Sequence, residues 1–247
     1  MITTLKTIWR SINPPNMTQV LVARHGQSLR NKGLGSRVHF DNHNELNEFG
    51  AEPDYNVPLS EEGEFQAEKL GRYISFLNLT PDLIIHSGYK RTSETARIAR
   101  AGMRMSTLPI FEEPLLRERE TGYTSHMIKD EANSYFQWKQ EYWDRTGRYL
   151  AVPPGGESYI AMCDGRVNTA LTKLAKQYRG RRVLLVLHGG TNKCIHMEYS
   201  QMSLAERNEF CDQPWSNPKN CSFSLYRYIP QTNRMVTSWY AKTPEEL

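Results

Sequence analysis

The stretch Val20-Leu21-Val22-Ala23-Arg24-His25-Gly26 decides the fold of this chain. Its first four residues form an apolar run that predicts a buried strand. Arg24 and His25 follow at once, and a helix-like segment comes after Gly26. In open α/β sheets, ligands bind outside the carboxyl ends of the strands. We therefore expect an imidazole and a guanidinium at a ligand site.

A second stretch of the same kind lies late in the chain. Val183-Leu184-Leu185-Val186-Leu187 is another apolar run, and His188-Gly189-Gly190 follows it. Two strands that each end in His-Gly predict a pair of histidines that face one pocket. Strand-like and helical segments alternate between them, which favours a mostly parallel sheet covered by helices on both faces.

Composition sets the class of protein. The chain has 247 residues, of which 38% are hydrophobic, and a net charge of +4, which is too small to argue for nucleic acid. The mean hydropathy of -0.65 is that of a soluble globular protein. No apolar run approaches the ~18 residues of a membrane span. We see no signal peptide, so we expect a cytoplasmic protein with no membrane partner.

Cysteine and histidine spacing gives no sign of a metal. The four cysteines (Cys163, Cys194, Cys211 and Cys221) form no C-x-x-C pair, so we expect reduced structural thiols rather than disulfides. His39-x-Asp41-x-His43 is more typical of a polar loop than of a metal cluster. We therefore expect neither a metal nor a cofactor.

The remaining pattern predicts one domain over residues 17–247, preceded by an irregular extension at 1–16. Residues 32–58 are polar and predict a long loop. Ser60 is expected to cap a helix, and Ser158 a long helix that ends at Tyr178. The aromatic-rich segment 128–145 predicts a helical part of a lid-like insertion around 120–153. Further strands are expected at 83–85, 108–111 and 222–226, and a helix at 91–100.

Several ordered motifs together resemble one family. Besides the two His-Gly turns, the chain carries Ser87-x-x-x-Arg91, Leu116-Arg117-Glu118-Arg119-Glu120 and Gly155-Gly156-Glu157-Ser158. In this order they resemble the histidine phosphatase superfamily, with the phosphoglycerate mutase-like fold, over roughly 20–228. The resemblance implies a three-layer α/β/α architecture with a mostly parallel central sheet. It also implies activity without a metal.

The resemblance assigns a role to each motif. His25 matches the histidine that is phosphorylated, while Arg24, Arg91 and His188 match residues of the phosphate pocket. Arginine forks suit phosphate geometry, and their charge favours the neutral, reactive form of His25. Protonated His188 would add a third cation.

The proton donor and the neutral phosphate contacts each have alternatives in the sequence. Glu118 falls where the family places its proton donor, with Glu120 as a rival and Glu113 as a weaker one. Gln27, Asn31 and Gly189 are candidate substrate contacts, although Gln27 and Asn31 could simply cap the following helix.

The implied function is a metal-independent histidine acid-type phosphatase that hydrolyses a small phosphorylated metabolite through phospho-His25. A phosphoglycerate mutase is the first alternative, but Glu120-Thr121-Gly122-Tyr123 stands where mutases carry His-Tyr-Gly. A catalytically idle member that binds a phosphorylated ligand or a protein is the second. The sequence determines neither the substrate nor the oligomeric state.

Overall fold

The structure, a computed structural model, describes residues 19–35, 37 and 39–246. The extension predicted to be irregular at 1–16 lies outside the described residues. Within them, one six-stranded sheet has the strand order β3-β2-β4-β1-β5-β6. The strands are β1 Gln19–Arg24, β2 Leu83–His86, β3 Ile110–Glu112, β4 Arg182–Leu187, β5 Phe223–Ile229 and β6 Arg234–Lys242. The first four are mutually parallel, and β5 and β6 are antiparallel additions at one edge.

Helices connect the parallel strands. Their bounds are α1 Leu29–Leu34, α2 His43–Phe49, α3 Glu61–Phe76, α4 Lys90–Gly102, α5 Lys129–Tyr135, α6 Lys139–Thr146, α7 Tyr159–Met162, α8 Asn168–Gln177, α9 Gly189–Tyr199 and α10 Leu204–Asp212. A π-helical turn, Cys163–Val167, joins α7 to α8. Among the described residues, no helix combines the length and the apolar character needed to cross a membrane.

Both faces of the sheet are buried. Side chains of a strand alternate between its faces, and Val20 and Val22 of β1 belong to one hydrophobic cluster while Leu21 and Ala23 belong to the other. The first cluster contains residues of α8 and α9, and the second contains residues of α3 and α4. The predicted three-layer α/β/α architecture with a mostly parallel sheet is therefore confirmed, and it explains why β1 and β4 are continuous apolar runs.

Several predicted helix boundaries agree with the structure. The hydroxyl of Ser60 accepts a hydrogen bond from the Gly63 amide at the start of α3, and that of Ser158 accepts from the Ala161 amide at the start of α7. The predicted helix to Tyr178 is not one α-helix, however, because the π-helical turn interrupts it. An aromatic-rich segment at 128–145 is helical, as α5 and α6.

Two further expectations from sequence were wrong, and one strand was missed. Residues 32–58 are not one long loop, because they contain the end of α1, all of α2 and a short 3-10 turn at Asp54–Asn56. The strand β6 was not predicted at all. Cys163 and Cys194 are not reduced thiols, since they form a disulfide with a Cα–Cα distance of 5.4 Å. Their separation of 31 residues hides the pairing, because the fold, and not local spacing, brings α9 against the π-helical turn.

Candidate active site

The two His-Gly turns lie side by side at one edge of the sheet. Strands β1 and β4 pair in parallel with Arg24 opposite Leu187, so the next residue of each strand emerges at the same edge. The rings of His25 and His188 are 5.4 Å apart between centroids, and these residues are 3% and 0% exposed. The structure thus brings together the two histidines that the sequence pointed to.

The His25 ring is held so that one of its two nitrogens carries no proton. Nδ1 lies 2.7 Å from the carbonyl of Gly26, an oxygen that can only accept, so Nδ1 carries the proton. Nε2 then keeps its lone pair, which accepts from Nε of Arg91 at 3.2 Å. The turn itself is fixed by the Gly26 amide, which donates to the Thr95 hydroxyl at 3.0 Å. A side chain at Gly26 would collide with the Gly63 carbonyl, since an added Cβ would lie 2.3 Å from that oxygen.

Arg91 joins the nucleophile candidate to a carboxylate that we did not single out from sequence. Its Nη2 lies 3.0 Å from Oδ2 of Asp54, and its Nη1 lies 3.2 Å from Oδ1. Nη1 also donates to the Asp54 carbonyl at 2.5 Å. Asp54 is shared with Arg30, which donates to Oδ1 at 3.1 Å. The guanidinium is therefore oriented from both sides, by His25 and by Asp54.

The hydrogen bonds around His188 assign its tautomer. The Thr92 hydroxyl donates to the Tyr89 carbonyl at 2.7 Å, so it can only accept from Ser87, 3.0 Å away. Ser87 in turn accepts from Nε2 of His188 at 2.7 Å. Nδ1 of His188 is buried and has no protein partner within the described part of the chain. If it gained a proton, that nitrogen would become a donor for an anion.

Arg24 supplies a second buried guanidinium. Its Nη1 donates to the Pro218 carbonyl at 2.7 Å, while Nε is buried with no partner among the described residues. Residues from the end of the chain close the turn, because the Asn220 side chain donates to the His25 carbonyl at 3.0 Å and the Arg24 amide donates to Ser222 at 3.1 Å. Unsatisfied buried donors are rare, so the free Nε–H of Arg24 points to a bound anion.

Burial controls the charge of the centre. It lowers the pKa of His25 well below 6.5, and the positive charges of Arg91 and Arg24 lower it further. Burial, followed by the charges of Arg91 and then of the neighbouring His25 and Arg24, likewise lowers the pKa of His188 well below 6.5. Both rings are therefore neutral at pH 7 in this structure. His25 is thus in its nucleophilic form, and His188 does not yet supply a third positive charge.

Glu118 is the carboxylate beside this centre. Its Oε1 accepts from the Gly190 amide at 3.1 Å, at the amino end of α9, and from the Arg119 amide at 2.8 Å. Position 190 must be glycine for this contact, since an added Cβ would lie 2.5 Å from Oε1. Glu120 is exposed and accepts from the Gly122 amide. Glu113 is buried and paired with Lys173 at 2.7 Å. Neither of them reaches the His188 turn in this way.

A buried arginine holds the segment that carries Glu118. Arg166 lies in the π-helical turn and is 5% exposed. It donates to the carbonyls of Leu115, Arg117 and Glu118 at 2.9, 2.7 and 2.9 Å. Glu157 binds the same guanidinium through both oxygens, at 2.9 and 2.7 Å. The Gly-Gly-Glu-Ser motif therefore acts through Arg166 on the position of Glu118.

The three other candidate contacts lie at the rim of the centre. Oε1 of Gln27 accepts from the Ser60 hydroxyl at 2.8 Å. The Asn31 side chain closes a capping box with Ser28 at the start of α1, although it also accepts from Asn220 at 3.3 Å. The contacts of Asn31 agree with the capping alternative, whereas Gln27 binds Ser60 at the start of α3 and does not cap the helix that follows it. A Cβ added at Gly189 would lie 3.9 Å from Oε2 of Glu118, so the backbone at 189 does face the centre.

The comparisons with known proteins give the family. The model of the histidine phosphatase superfamily (branch 1) matches residues 20–240. The chain is 31% identical over 194 residues to a 2,3-bisphosphoglycerate-dependent phosphoglycerate mutase of Parvibaculum lavamentivorans, covering 76% of this chain and 82% of that protein. It is 28% identical over 195 residues to a metal-independent phosphoserine phosphatase of Arabidopsis thaliana, covering 76% and 71%.

Solved structures share the fold. A mycobacterial glucosyl-3-phosphoglycerate phosphatase in complex with inorganic phosphate superposes with a TM-score of 0.66 at 19% identity, covering 92% of this chain and 99% of that one. The alpha-ribazole phosphatase of Shigella flexneri gives a TM-score of 0.66 at 18% identity, with coverage of 91% and 96%. The family match spans most of the sheet and both His-Gly turns, and the chain belongs to the histidine phosphatase superfamily.

Proposed function

We propose that this protein hydrolyses a small phosphomonoester through a phosphohistidine formed on Nε2 of His25. One observation carries the proposal: Nε2 of a buried, neutral His25 keeps a lone pair within 3.2 Å of an arginine whose fork suits phosphate. Arg24 and His188 add two buried polar atoms that have no protein partner in the described residues. A phosphate oxygen would accept from Nε of Arg24, and from Nδ1 of His188 once that ring has gained a proton.

The first step would form one bond and break another. Nε2 of His25 attacks phosphorus, and the bond from phosphorus to the leaving oxygen breaks. Glu118 gives its proton to that oxygen, so the product leaves as an alcohol. The arginines hold the non-bridging oxygens as charge builds on them. For this, Nε of Arg91 must release His25, because the lone pair that it now occupies is the attacking one.

The second step would restore the enzyme. Glu118 takes a proton from a water molecule, whose oxygen attacks phosphorus and breaks its bond to Nε2. Inorganic phosphate leaves, and both His25 and Glu118 return to their starting protonation states. The step requires no metal, since guanidinium groups supply the positive charge.

The decisive experiment compares variants on p-nitrophenyl phosphate. We expect His25→Ala to lose at least about 10³-fold in kcat/KM, because it lacks the nucleophile. His43→Ala, which alters an exposed histidine, is the matched control and should keep full activity. After quenching at high pH, mass spectrometry should find phosphate on the His25 peptide of the native protein. Equal rates for the native and His25→Ala proteins would reject a catalytic role.

The leaving group tests Glu118 against Glu120. Glu118→Gln should reduce hydrolysis of an alkyl phosphate by roughly 10²- to 10⁴-fold. It should reduce hydrolysis of p-nitrophenyl phosphate much less, because nitrophenolate leaves without a proton. Glu120→Gln should show neither effect. The reverse pattern would move the proton donor to Glu120.

A mutase remains the second candidate, because curated relatives that match most of this chain are phosphoglycerate mutases. The same phosphohistidine would then be transferred to a second hydroxyl rather than to water. Phosphoglycerate isomerisation that depends on added 2,3-bisphosphoglycerate and outpaces phosphate release would decide for the mutase. We expect phosphate release to dominate.

A further inference from the structure

A cavity lies beside the proposed centre. It has a volume of about 370 Å³, and the insertion contributes Trp143 and Arg148 to its wall. Arg119, Tyr159 and Lys193 also line it, together with residues of the segment 211–217. None of these residues has a role in the proposed hydrolysis.

Lys193 is the unusual member of this wall. It is 3% exposed, yet its ammonium has no hydrogen-bond or ion-pair partner among the residues that the structure describes. The centroid of the Tyr159 ring lies 5.8 Å from Nζ, which gives only a weak contact. The stem of Lys193 is buried, whereas Nζ keeps contact with the space of the cavity, where an anion could become its partner.

The charges around the cavity are mostly positive. Arg119 stacks over Tyr159 at 4.5 Å and donates to the Glu157 carbonyl, and it forms no ion pair with a carboxylate in the described part of the chain. Arg148 is paired with Asp212 at 2.7 Å. Burial lowers the pKa of Lys193 to about 8, against the opposing pull of Glu118, so the amine is still mainly charged at pH 7. Cys211, also in the wall, stays neutral because burial raises its pKa to about 11.

The cavity and the proposed centre share three segments. Lys193 lies three residues after Gly190 on α9, and residues at this spacing are neighbours on one helix face. Arg119 follows Glu118 and donates its amide to that carboxylate. Asn217 lines the cavity, and the next residue accepts from Arg24. A ligand in the cavity would therefore lie on the Glu118 side of the centre, where the leaving group departs.

We propose that this cavity binds a second anionic group, a carboxylate or a phosphate, on the leaving part of the substrate, with Lys193 and Arg119 as its partners. The proposal rests on the proposed hydrolysis and narrows its substrate class to phosphomonoesters with two anionic groups. Trp143 and Arg148 make the insertion part of this specificity pocket.

A matched pair of substrates tests it. 3-Phosphoglycerate and glycerol 3-phosphate differ only in a carboxylate that replaces a hydroxymethyl group. The native protein should prefer 3-phosphoglycerate by roughly 10- to 100-fold in kcat/KM, the range expected for a hydrogen-bonded ion pair. Lys193→Met should remove most of this preference, mainly through a higher KM for 3-phosphoglycerate. Lys193→Arg should restore part of it, and Lys176→Met, which alters an exposed lysine, should keep all of it.

The outcomes separate the two proposals. If hydrolysis depended on His25 but the native protein did not prefer 3-phosphoglycerate to glycerol 3-phosphate, the cavity proposal alone would be overturned. Equal losses on both substrates in Lys193→Met would show a structural role and overturn it too. Citrate can serve as a free anion in the same assay. If it changed the rate of p-nitrophenyl phosphate hydrolysis but did not compete with 3-phosphoglycerate, the cavity would bind an anion other than the substrate, contrary to the proposal. Hydrolysis that does not depend on His25 would remove the proposed function itself.

Discussion

Arg166 shows how a residue far from the reacting atoms can control them. Its guanidinium donates to the carbonyls of Leu115, Arg117 and Glu118, and it is itself fixed by Glu157. No side chain can replace all five contacts. We therefore regard Arg166 as a positioning residue for the proposed proton donor.

Replacement of Arg166 should affect the proton-transfer step most. Arg166→Met should lower kcat for an alkyl phosphate by about 10²-fold, since misplacement of a catalytic group by about 1 Å costs that much. The loss on p-nitrophenyl phosphate should be smaller, as for Glu118→Gln. Arg179→Met, at an exposed arginine, is the control. A uniform loss on both substrates, with a lower melting temperature, would indicate general destabilisation instead.

Asp54 should compete with phosphate for Arg91. Its carboxylate occupies both terminal nitrogens of the guanidinium, and its side chain is 38% exposed. Asp54→Asn removes the negative charge, so inorganic phosphate should inhibit p-nitrophenyl phosphate hydrolysis with a Ki lower by roughly two- to fivefold. Asp41→Asn, in an ion pair with Arg37 on the surface, is the matched control. A higher Ki in Asp54→Asn would mean that Asp54 serves mainly to orient Arg91.

Among individual residues, the sequence identified those whose neighbours in the chain indicate a role. His25 and His188 follow apolar runs, and Arg91 lies in a strand-turn-helix segment, so each could be singled out without coordinates. Asp54, Arg166 and Lys193 could not, because each acquires its role only through contacts formed by the fold. Glu157 and Arg166 are nine residues apart, a spacing that indicates no ion pair in a helix, so nothing in the sequence suggested their contact.

Secondary structure was predictable where burial makes the pattern strong. The apolar runs of β1 and β4 predicted two central strands. In contrast, β6 mixes apolar and polar residues, and it has only one buried residue because it lies at the sheet edge. Helix α2 has no buried residue, so its sequence lacks the apolar stripe by which helices are recognised. Boundaries inside 32–58 therefore could not be read from hydrophobicity.

The disulfide should stabilise the packing of α9 against the π-helical turn. It closes a loop of 31 residues, and loss of such a link costs about 3–4 kcal/mol in the chain-entropy description. Replacement of both Cys163 and Cys194 by alanine should lower the melting temperature. Dithiothreitol should lower that of the native protein and leave the double variant unchanged. Thiol titration of the denatured native protein should find two thiols, Cys211 and Cys221, rather than four.

This link also bears on location. The expectation of a cytoplasmic protein rested in part on reduced cysteines, and disulfides persist mainly in oxidising compartments. That part of the argument no longer holds, and the cytoplasmic location stays a prediction.

For the whole molecule, buried histidines predict sensitivity to acid. Burial lowers the pKa of His196 to about 4, and the pKa values of His25 and His188 are also lowered. Below pH 6.5 the unfolded chain binds protons at these positions while the folded protein does not, so stability falls as pH falls. The free energy of unfolding should drop from pH 6.5 toward pH 4, with up to about 1.4 kcal/mol per pH unit for each histidine.

His196 isolates this effect from catalysis. It stacks on Tyr240 at 4.1 Å, away from the two His-Gly turns. Urea unfolding of His196→Gln should show a shallower pH slope between pH 6.5 and 4 than the native protein. His126→Gln, at an exposed histidine, should keep the native slope. An identical slope for His196→Gln would contradict a neutral buried ring.

The hydrogen bond from Asn220 to the His25 carbonyl spans 195 residues of chain. During synthesis, the first His-Gly turn leaves the ribosome long before its partner segment exists. The apolar strand β1 therefore stays unpaired along one edge until β5 has been synthesised. A nascent chain stalled before Ser222 should consequently be a target for chaperones and proteases, and any phosphatase activity should arise only after that point.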